Sequence, residues 1–288
     1  MPTLLSLGHG YSAAALARRL IPQGWRVLGT ARRPEALEAM AAEGVTPRPW
    51  PGTPLAGLLG EATHLLTSIP PGRDGDPVLA TEAEALAGAR HLAWAGYLST
   101  TGVYGDTGGG WVDEDTPPAP SLPRTAARTA AEDGWREACA RAGVPLAVFR
   151  LAGIYGPGRS PLDKLRAGTA RAIVKPGQVF SRIHVADIAA ALEASIARPP
   201  QGSRIYNLAD DTPAPPEEVT WHAADLLGLP RPAPEDFSTA EMSPMARSFY
   251  ADNRRVRNDR VKQELGLQLA FPDYRAGLAA ILAAEPGR

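Results

Sequence analysis

Gly8-His9-Gly10-Tyr11-Ser12-Ala13 stands between a short apolar run, Thr3 to Leu7, and an alanine-rich stretch from Ala13 to Leu20. Between a strand and a helix, G-x-G-x-x-A spacing has a definite chemical use. The first glycine permits a tight turn, the second lets a pyrophosphate approach the backbone, and the small last residue lets helix and strand pack closely. The unpaired N–H groups that open the helix then face the phosphates. Gly8, Gly10, Tyr11 and Ala13 are therefore expected to form the phosphate end of a dinucleotide site. Tyr11 packs on the cofactor or a neighbouring loop in this reading, while His9 points away and has no catalytic task. The alternative is a glycine-rich turn with no ligand.

About twenty residues on, Trp25 to Thr30 reads as a second strand, where an NAD site places Asp or Glu at the end. No acid lies between Gly24 and Pro34, and the strand runs into Thr30-Ala31-Arg32-Arg33. A carboxylate repels a ribose 2′-phosphate, whereas guanidinium forks bind it with charge-assisted hydrogen bonds. Thr30, Arg32 and Arg33 thus predict NADP over NAD; the plainer reading is that the two arginines solvate a helix start. Ser68, Ile69 and Pro70 end a fourth strand and are expected to wall the adenosine or ribose.

These residues must be positioned by alternating elements. Strands are predicted at Thr3–Leu7, Trp25–Thr30, Val45–Trp50, Ala62–Ser68, His91–Ser99 and Val144–Leu151. Helices are predicted at Ser12–Gln23, Pro34–Ala42, Val78–Ala89 and Thr125–Ala142. Such alternation implies an α/β fold with a doubly wound Rossmann parallel sheet. The pattern loosens after Tyr155, giving a smaller C-terminal substrate lobe. The expected division is 1–153 for the dinucleotide-binding domain, rejoined by about 179–205, and 154–288 for the lobe. Thr239 to Ser248 reads as a loop.

The 288 residues carry 30 basic and 31 acidic side chains, a net charge of −1. That balance gives no pull towards nucleic acid or membrane surfaces. The single cysteine, Cys139, rules out a disulfide framework, supports no metal site, and is expected to be a buried inert thiol. No apolar stretch approaches the roughly 20 residues of a membrane span, and the immediate entry into a strand predicts no signal peptide. The expectation is a soluble cytoplasmic protein.

Five segments, in order, resemble the extended short-chain dehydrogenase/reductase family, its NAD-dependent epimerase/dehydratase branch. They are Gly8 to Ala13, Ser99-Thr100-Thr101-Gly102-Val103-Tyr104-Gly105, Arg150 to Gly158, Ile183-His184-Val185-Ala186-Asp187-Ile188 and Tyr206-Asn207-Leu208-Ala209-Asp210. The resemblance implies a nicotinamide near the strand ends at Ser99 and Arg150, with Gly153 and Ile154 beside it. It also implies a dimer through the long helices.

The usual Tyr-x-x-x-Lys pair is missing: none of the seven tyrosines has Lys four positions later. Counting back from Glu132 puts Arg124 at the Tyr position and Arg128 at the Lys position. Arg128 can hold a ribose or phosphate, but Arg124 stays protonated and transfers no proton. Gly153 stands where sugar-nucleotide members carry Asn, which argues against that substrate class. Thr100 aligns with the residue that hydrogen-bonds the reacting oxygen, or it caps a strand end, with Thr101 the neighbour if the register slips. Tyr155 is the candidate substitute proton donor. Tyr104 reads as an aromatic plug, His184 and Asp187 as a helix cap and interlobe hinge, Asp113 to Asp115 as a solvated loop, and Trp111 as a substrate-side lid.

Two functions follow from these residues. One is an NADP-dependent oxidoreductase or epimerase-like enzyme on a small carbonyl or alcohol; the other is a non-catalytic NAD(P)-binding redox sensor or regulatory protein.

Overall fold

The computed structural model describes residues 1–285. Its centre is one parallel sheet of β1 (Thr3–Leu7), β2 (Arg26–Ala31), β3 (Thr46–Pro49), β4 (His64–Thr67), β5 (Trp94–Thr100), β6 (Leu146–Leu151) and β7 (Ser203–Leu208). The strands lie in the order β7-β6-β5-β4-β1-β2-β3. The chain moves outward from β1 to β3 and then restarts at β4 on the other side. The crevice beyond the ends of β1 and β4 is thus the topological switch point, where open α/β sheets bind ligands.

Both sheet faces are covered, which explains why the strands read as nearly continuous apolar runs. Along β1 the side chains alternate: Leu4 joins one core, Leu5 and Leu7 the other. The first core is closed by α1 (Tyr11–Leu20) and α2 (Pro34–Ala42). The second is closed by α3 (Leu55–Glu61), α4 (Pro77–Thr81), α5 (Ala83–Gly88) and α6 (Pro123–Ala142). Proline at the first helical position starts α2 and α6, where its fixed φ suits the helix and its missing N–H costs nothing. The single helix expected over Val78–Ala89 is two, broken at Glu82, whose φ of −125° leaves the helical region. Asp76 starts the first of them, accepting from the N–H groups of Val78 and Leu79 at 2.9 and 3.2 Å. Cys139 is buried on α6, and burial pushes its thiol up to about 12.

Beyond β6 the lobe begins with the strand Gly153–Tyr155, paired in parallel with Arg182–His184, and α7 (Pro161–Arg166). α8 (Val185–Ala197) returns to the sheet and shares the α1 core through Ile188 and Leu192. The lobe resumes with α9 (Pro216–Leu227), α10 (Pro244–Ser248), α11 (Asp259–Leu265) and α12 (Tyr274–Ala283). The return to the sheet extends past the expected 179–205, because Val261 and Leu265 of α11 bury against the same core as Tyr206 of β7. The stretch read as a loop contains α10, whose N-terminus Ser243 caps by accepting from the Ala246 N–H at 3.2 Å. Among the described residues no helix is long and apolar enough to cross a membrane.

Candidate functional site

A cleft of about 1460 Å³ runs from the β1–α1 turn across the ends of β5 and β6 into the lobe. Single small-molecule pockets span roughly 300–1,000 Å³, so this cleft has room for an extended ligand and a second molecule.

Its first end is built by backbone. Gly8 has φ +74°, and a Cβ there would stand 2.8 Å from Ile69 Cγ1. The Gly8 N–H donates to Thr30 Oγ1 at 2.9 Å, the Ser68 hydroxyl donates to the Gly8 carbonyl, and the His9 N–H donates to the Thr30 carbonyl at 2.9 Å. Gly10 is open: a Cβ there would meet only the Gly8 carbonyl, at 3.8 Å. No side chain caps α1, and Gly10, Tyr11 and Ser12 line the cleft at its start. An uncapped helix N-terminus with an open glycine approach is a donor set that fits a pyrophosphate.

Several expected contacts prove to be supports. Thr30 is 1% exposed, and its hydroxyl holds the Gly8 turn rather than a ribose. Ala13 is buried between α1 and the sheet, and Ile69 packs beneath Gly8. Ser68 and Pro70 line the cleft; Arg32 and Arg33 do not, standing exposed just past β2 without an ion pair among the described residues. His9 turns towards β2 beside Gly29, and burial lowers its pKa to about 4, so it is neutral. The Tyr11 hydroxyl donates to the Pro157 carbonyl at 2.9 Å, tying the turn to the lobe.

At the ends of β5 and β6, Thr100 Oγ1 accepts from the Gly102 N–H at 3.1 Å while lining the cleft. Accepting leaves its O–H free to donate to a ligand oxygen. Thr101 is buried, and its hydroxyl donates to the Leu151 carbonyl at 3.4 Å. Arg128 Nη1 donates to the Leu98 carbonyl at 2.9 Å and to the Tyr97 hydroxyl at 3.1 Å, so it stands along the cleft wall. Arg124 reaches the opposite side: Nη1 donates to Ser248 Oγ at 2.7 Å, and the guanidinium lies 5.1 Å from the Phe249 ring centre.

Two expectations are corrected here. Ser99 is 5% exposed, and its hydroxyl donates to Glu132 Oε1 at 2.5 Å, so the side chain faces the protein interior. Tyr155 borders the cleft but turns its ring into the lobe core, edge-on to His184 with centroids 5.1 Å apart. Its hydroxyl donates to the Asp273 carbonyl at 3.3 Å, and burial, with Asp210 and Asp187 adding to it, raises its pKa far above the ordinary tyrosine value. Such a phenol stays protonated at neutral pH and is a weaker acid than an ordinary tyrosine.

Beneath the strand ends lies a buried network that the sequence did not disclose. Glu132 holds Arg150 through Oε2 to Nη2 at 2.7 Å, and Arg150 stacks on Tyr104 at 4.8 Å. Burial opposes the Arg150 charge, but the hydrogen bonds and charge of Glu132 win and hold its pKa above the ordinary value. The Tyr104 hydroxyl donates to Asn207 Oδ1 at 2.8 Å, and Glu114 accepts from the Asn207 N–H at 2.8 Å. Glu114 is therefore a buried support, whereas Trp111 is 51% exposed and lies outside the cleft walls.

On the lobe side, His184 Nδ1 caps α8 by accepting from the Ala186 N–H at 3.2 Å, and burial lowers its pKa to about 4. Asp187 accepts from the N–H groups of Ala270 and Phe271 at 2.8 and 3.1 Å, pinning the approach to α12. Gly153 and Ile154 line the cleft, and the Arg182 stem passes over Gly153, its Cγ 3.8 Å from where a Cβ would stand. Arg182 is a second residue the sequence reading missed; the bare Gly153 opposite it was the available signal. Among the described residues no cluster of three His, Cys, Asp or Glu side chains is placed to hold a metal.

The model of the NAD-dependent epimerase/dehydratase family matches residues 83–209. Over that stretch, a little under half of the chain, the protein carries a domain similar to that family's. It is 53% identical to a solved protein from Silicibacter pomeroyi described as functionally unknown and conserved, over 98% of this chain and 99% of that one, with TM-score 0.92. Protein YeeZ of Escherichia coli K12 is 28% identical over 95% of this chain and 97% of its own length. UDP-glucuronic acid 4-epimerase from Bacillus cereus, solved with NAD, shares the fold at TM-score 0.77 and 16% identity, covering 98% of this chain and 96% of that one.

Proposed function

We propose that the protein is an NADP-dependent oxidoreductase or epimerase-like enzyme acting on a small carbonyl or alcohol without the family's Tyr-x-x-x-Lys pair. The observation that carries this reading is the continuity of the cleft from the open Gly10 turn to Thr100. Gly10 and the first turn of α1 hold the pyrophosphate, and Arg32 and Arg33 read the 2′-phosphate in place of a carboxylate. Arg128 stands beside the ribose, and Gly153 and Ile154 border the nicotinamide. When bound, the nicotinamide gives a hydride to the carbonyl carbon or takes one from the alcohol. Thr100 donates its hydroxyl hydrogen bond to the reacting oxygen, fixing its orientation, and solvent in the open cleft supplies the proton in reduction and takes it up in oxidation.

The test follows absorbance of the nicotinamide band with NADPH or NADH over a panel of carbonyl compounds. Turnover with NADPH, lost in Thr100→Val, supports the reading; tighter binding of NADH overturns the cofactor assignment. One observation favours the second reading, a non-catalytic redox sensor: Arg124 spans the cleft to Ser248 and Phe249. Tight NADPH binding with no turnover across the panel selects it. A cytoplasmic location and a homodimer through the long helices belong to the same proposal; light scattering at the protein's mass tests the dimer.

A further inference from the structure

The cleft contains more cations than acids, and most are already engaged. Arg171 pairs with Glu235, and Arg254 pairs with Asp252 at 3.1 Å. Arg128 is held by Leu98 and Tyr97, and Arg124 by Ser248. Arg182 is held by backbone carbonyls alone. Its Nη1 donates to the carbonyls of Phe180 and Ala214 at 2.9 and 3.0 Å, which fixes the plane of the guanidinium. Nε and Nη2 take no partner among the described residues, yet they are not sealed from the cleft that Arg182 lines. No carboxylate among the described residues lies within ion-pair distance of it.

Its surroundings favour an incoming anion. Phe180, Tyr250, Tyr274 and Leu278 line the same cleft, and the burial of Arg182 among its neighbours reduces the screening of its charge by water. Tyr250 and Tyr274 line the same cleft, and their hydroxyls make no hydrogen bond among the described residues. Burial pushes the Arg182 guanidinium below its ordinary value, with the nearby Asp210 acting against that. Asp210 is itself raised to about 7 by burial, so it compensates the arginine only partly near neutral pH. A fixed guanidinium with two free N–H directions in an apolar wall matches a carboxylate or phosphate group.

We propose that Arg182, reaching over Gly153 with Tyr250 and Tyr274 behind it, forms an anion subsite, so that the substrate bears a carboxylate or phosphate beside its reacting carbonyl or alcohol. This rests on the functional reading above for what is reacted, but the subsite itself is tested by binding alone.

The experiment is calorimetric titration of the protein, with and without saturating NADPH, using malonate, inorganic phosphate and the neutral malonamide. The wild-type protein is expected to bind malonate or phosphate and not malonamide; the stronger of the two anions identifies the head group. Arg182→Met is expected to weaken that binding by about tenfold or more, the value of a charge-assisted hydrogen bond. Its NADPH affinity should stay within about twofold of wild type. Arg182→Lys, which keeps the charge without the fork, should fall between and guards against a folding defect in the first variant. The subsite is overturned if neither anion binds, if malonamide binds as well as malonate, or if both variants bind the anion like wild type. Failure of NADPH to bind, with the Arg182-dependent anion affinity intact, sinks the functional reading and leaves the subsite standing.

Discussion

The two ends of the cleft are built from different materials. At the β1–α1 end, function rests on backbone: a glycine at φ +74°, an open glycine beside it and an uncapped helix start. The side chains there, Thr30 and Ser68, only hold that backbone in place. At the β5–β6 end, side chains form the cleft wall: Arg124 and Arg128 project from α6, and the Arg182 stem lies beside the bare Gly153. Backbone geometry tolerates few residue types, so the first end keeps a family's form. Side chains facing a substrate can be exchanged without unfolding the sheet, so the second end can be rebuilt for new chemistry.

The sharpest way to break this contrast is to remove what supports the second end. Glu132→Ala leaves Arg150 buried without its acid and takes the acceptor from Ser99. Breaking a buried ion pair in this way costs about 3–5 kcal/mol, measured by urea unfolding. A loss below about 1 kcal/mol would put the pair in the class of weak surface bridges and deny it a structural role. Gly8→Val attacks the first end. Its Cβ would meet Ile69 at 2.8 Å with φ in the left-handed region. Stability should drop by roughly 1–3 kcal/mol, and NADPH binding by fluorescence should vanish. Retained binding would mean that the turn is not the phosphate site.

The lobe side adds a pH signature absent from the first end. Burial raises Asp210 from 3.8 to about 7. A carboxyl with a raised folded-state pKa binds its proton more tightly when folded. Its contribution to stability is therefore present below the unfolded value and is lost as pH rises through about 7. His9 and His184, both lowered to about 4, act in the opposite direction between about 4 and their unfolded value of 6.5. The wild-type curve mixes these effects, so the comparison must be with Asp210→Asn. The melting temperature of the variant should gain on wild type between pH 5 and pH 8 (pH values near the ends of this range). A constant gap would show that Asp210 titrates normally.

Cofactor choice is a smaller effect. Replacing Arg32 and Arg33 by serine should weaken NADPH by about tenfold, one charge-assisted contact's worth, and leave NADH unchanged. Equal loss of both cofactors would assign the arginines to general electrostatics and remove the basis for preferring NADP.

What the sequence disclosed follows the same division. Six of the seven sheet strands, α1, α2 and α6 were readable because apolar periodicity, proline starts and glycine turns act locally, whereas β7 was not among the predicted strands. α3 was not, since Leu55-Ala56-Gly57-Leu58-Leu59-Gly60-Glu61 is short and carries two glycines. The Gly8 turn was readable, but Thr30 and Ser99 were assigned to the ligand when their hydroxyls face the protein. Proximity along a strand end does not say which way a side chain points. Arg182 and the Glu132–Arg150 pair depend on contacts between segments 18 or more residues apart, which no local pattern encodes.

Tyr155 is the case in which orientation decides function, and it yields the smallest expected effect. Its strand register sets it opposite His184, and both rings pack together in the lobe. The phenol oxygen is held by a carbonyl at 3.3 Å, a long hydrogen bond near the limit of useful geometry. Tyr155→Phe removes only that bond and keeps the ring, so the cost should be about 0.5–1 kcal/mol, read by urea unfolding. Turnover with NADPH should be unchanged, whereas Thr100→Val abolishes it. If Tyr155→Phe instead removes turnover at unchanged stability, the ring must swing into the cleft during the reaction. The second end would then contain a proton donor after all.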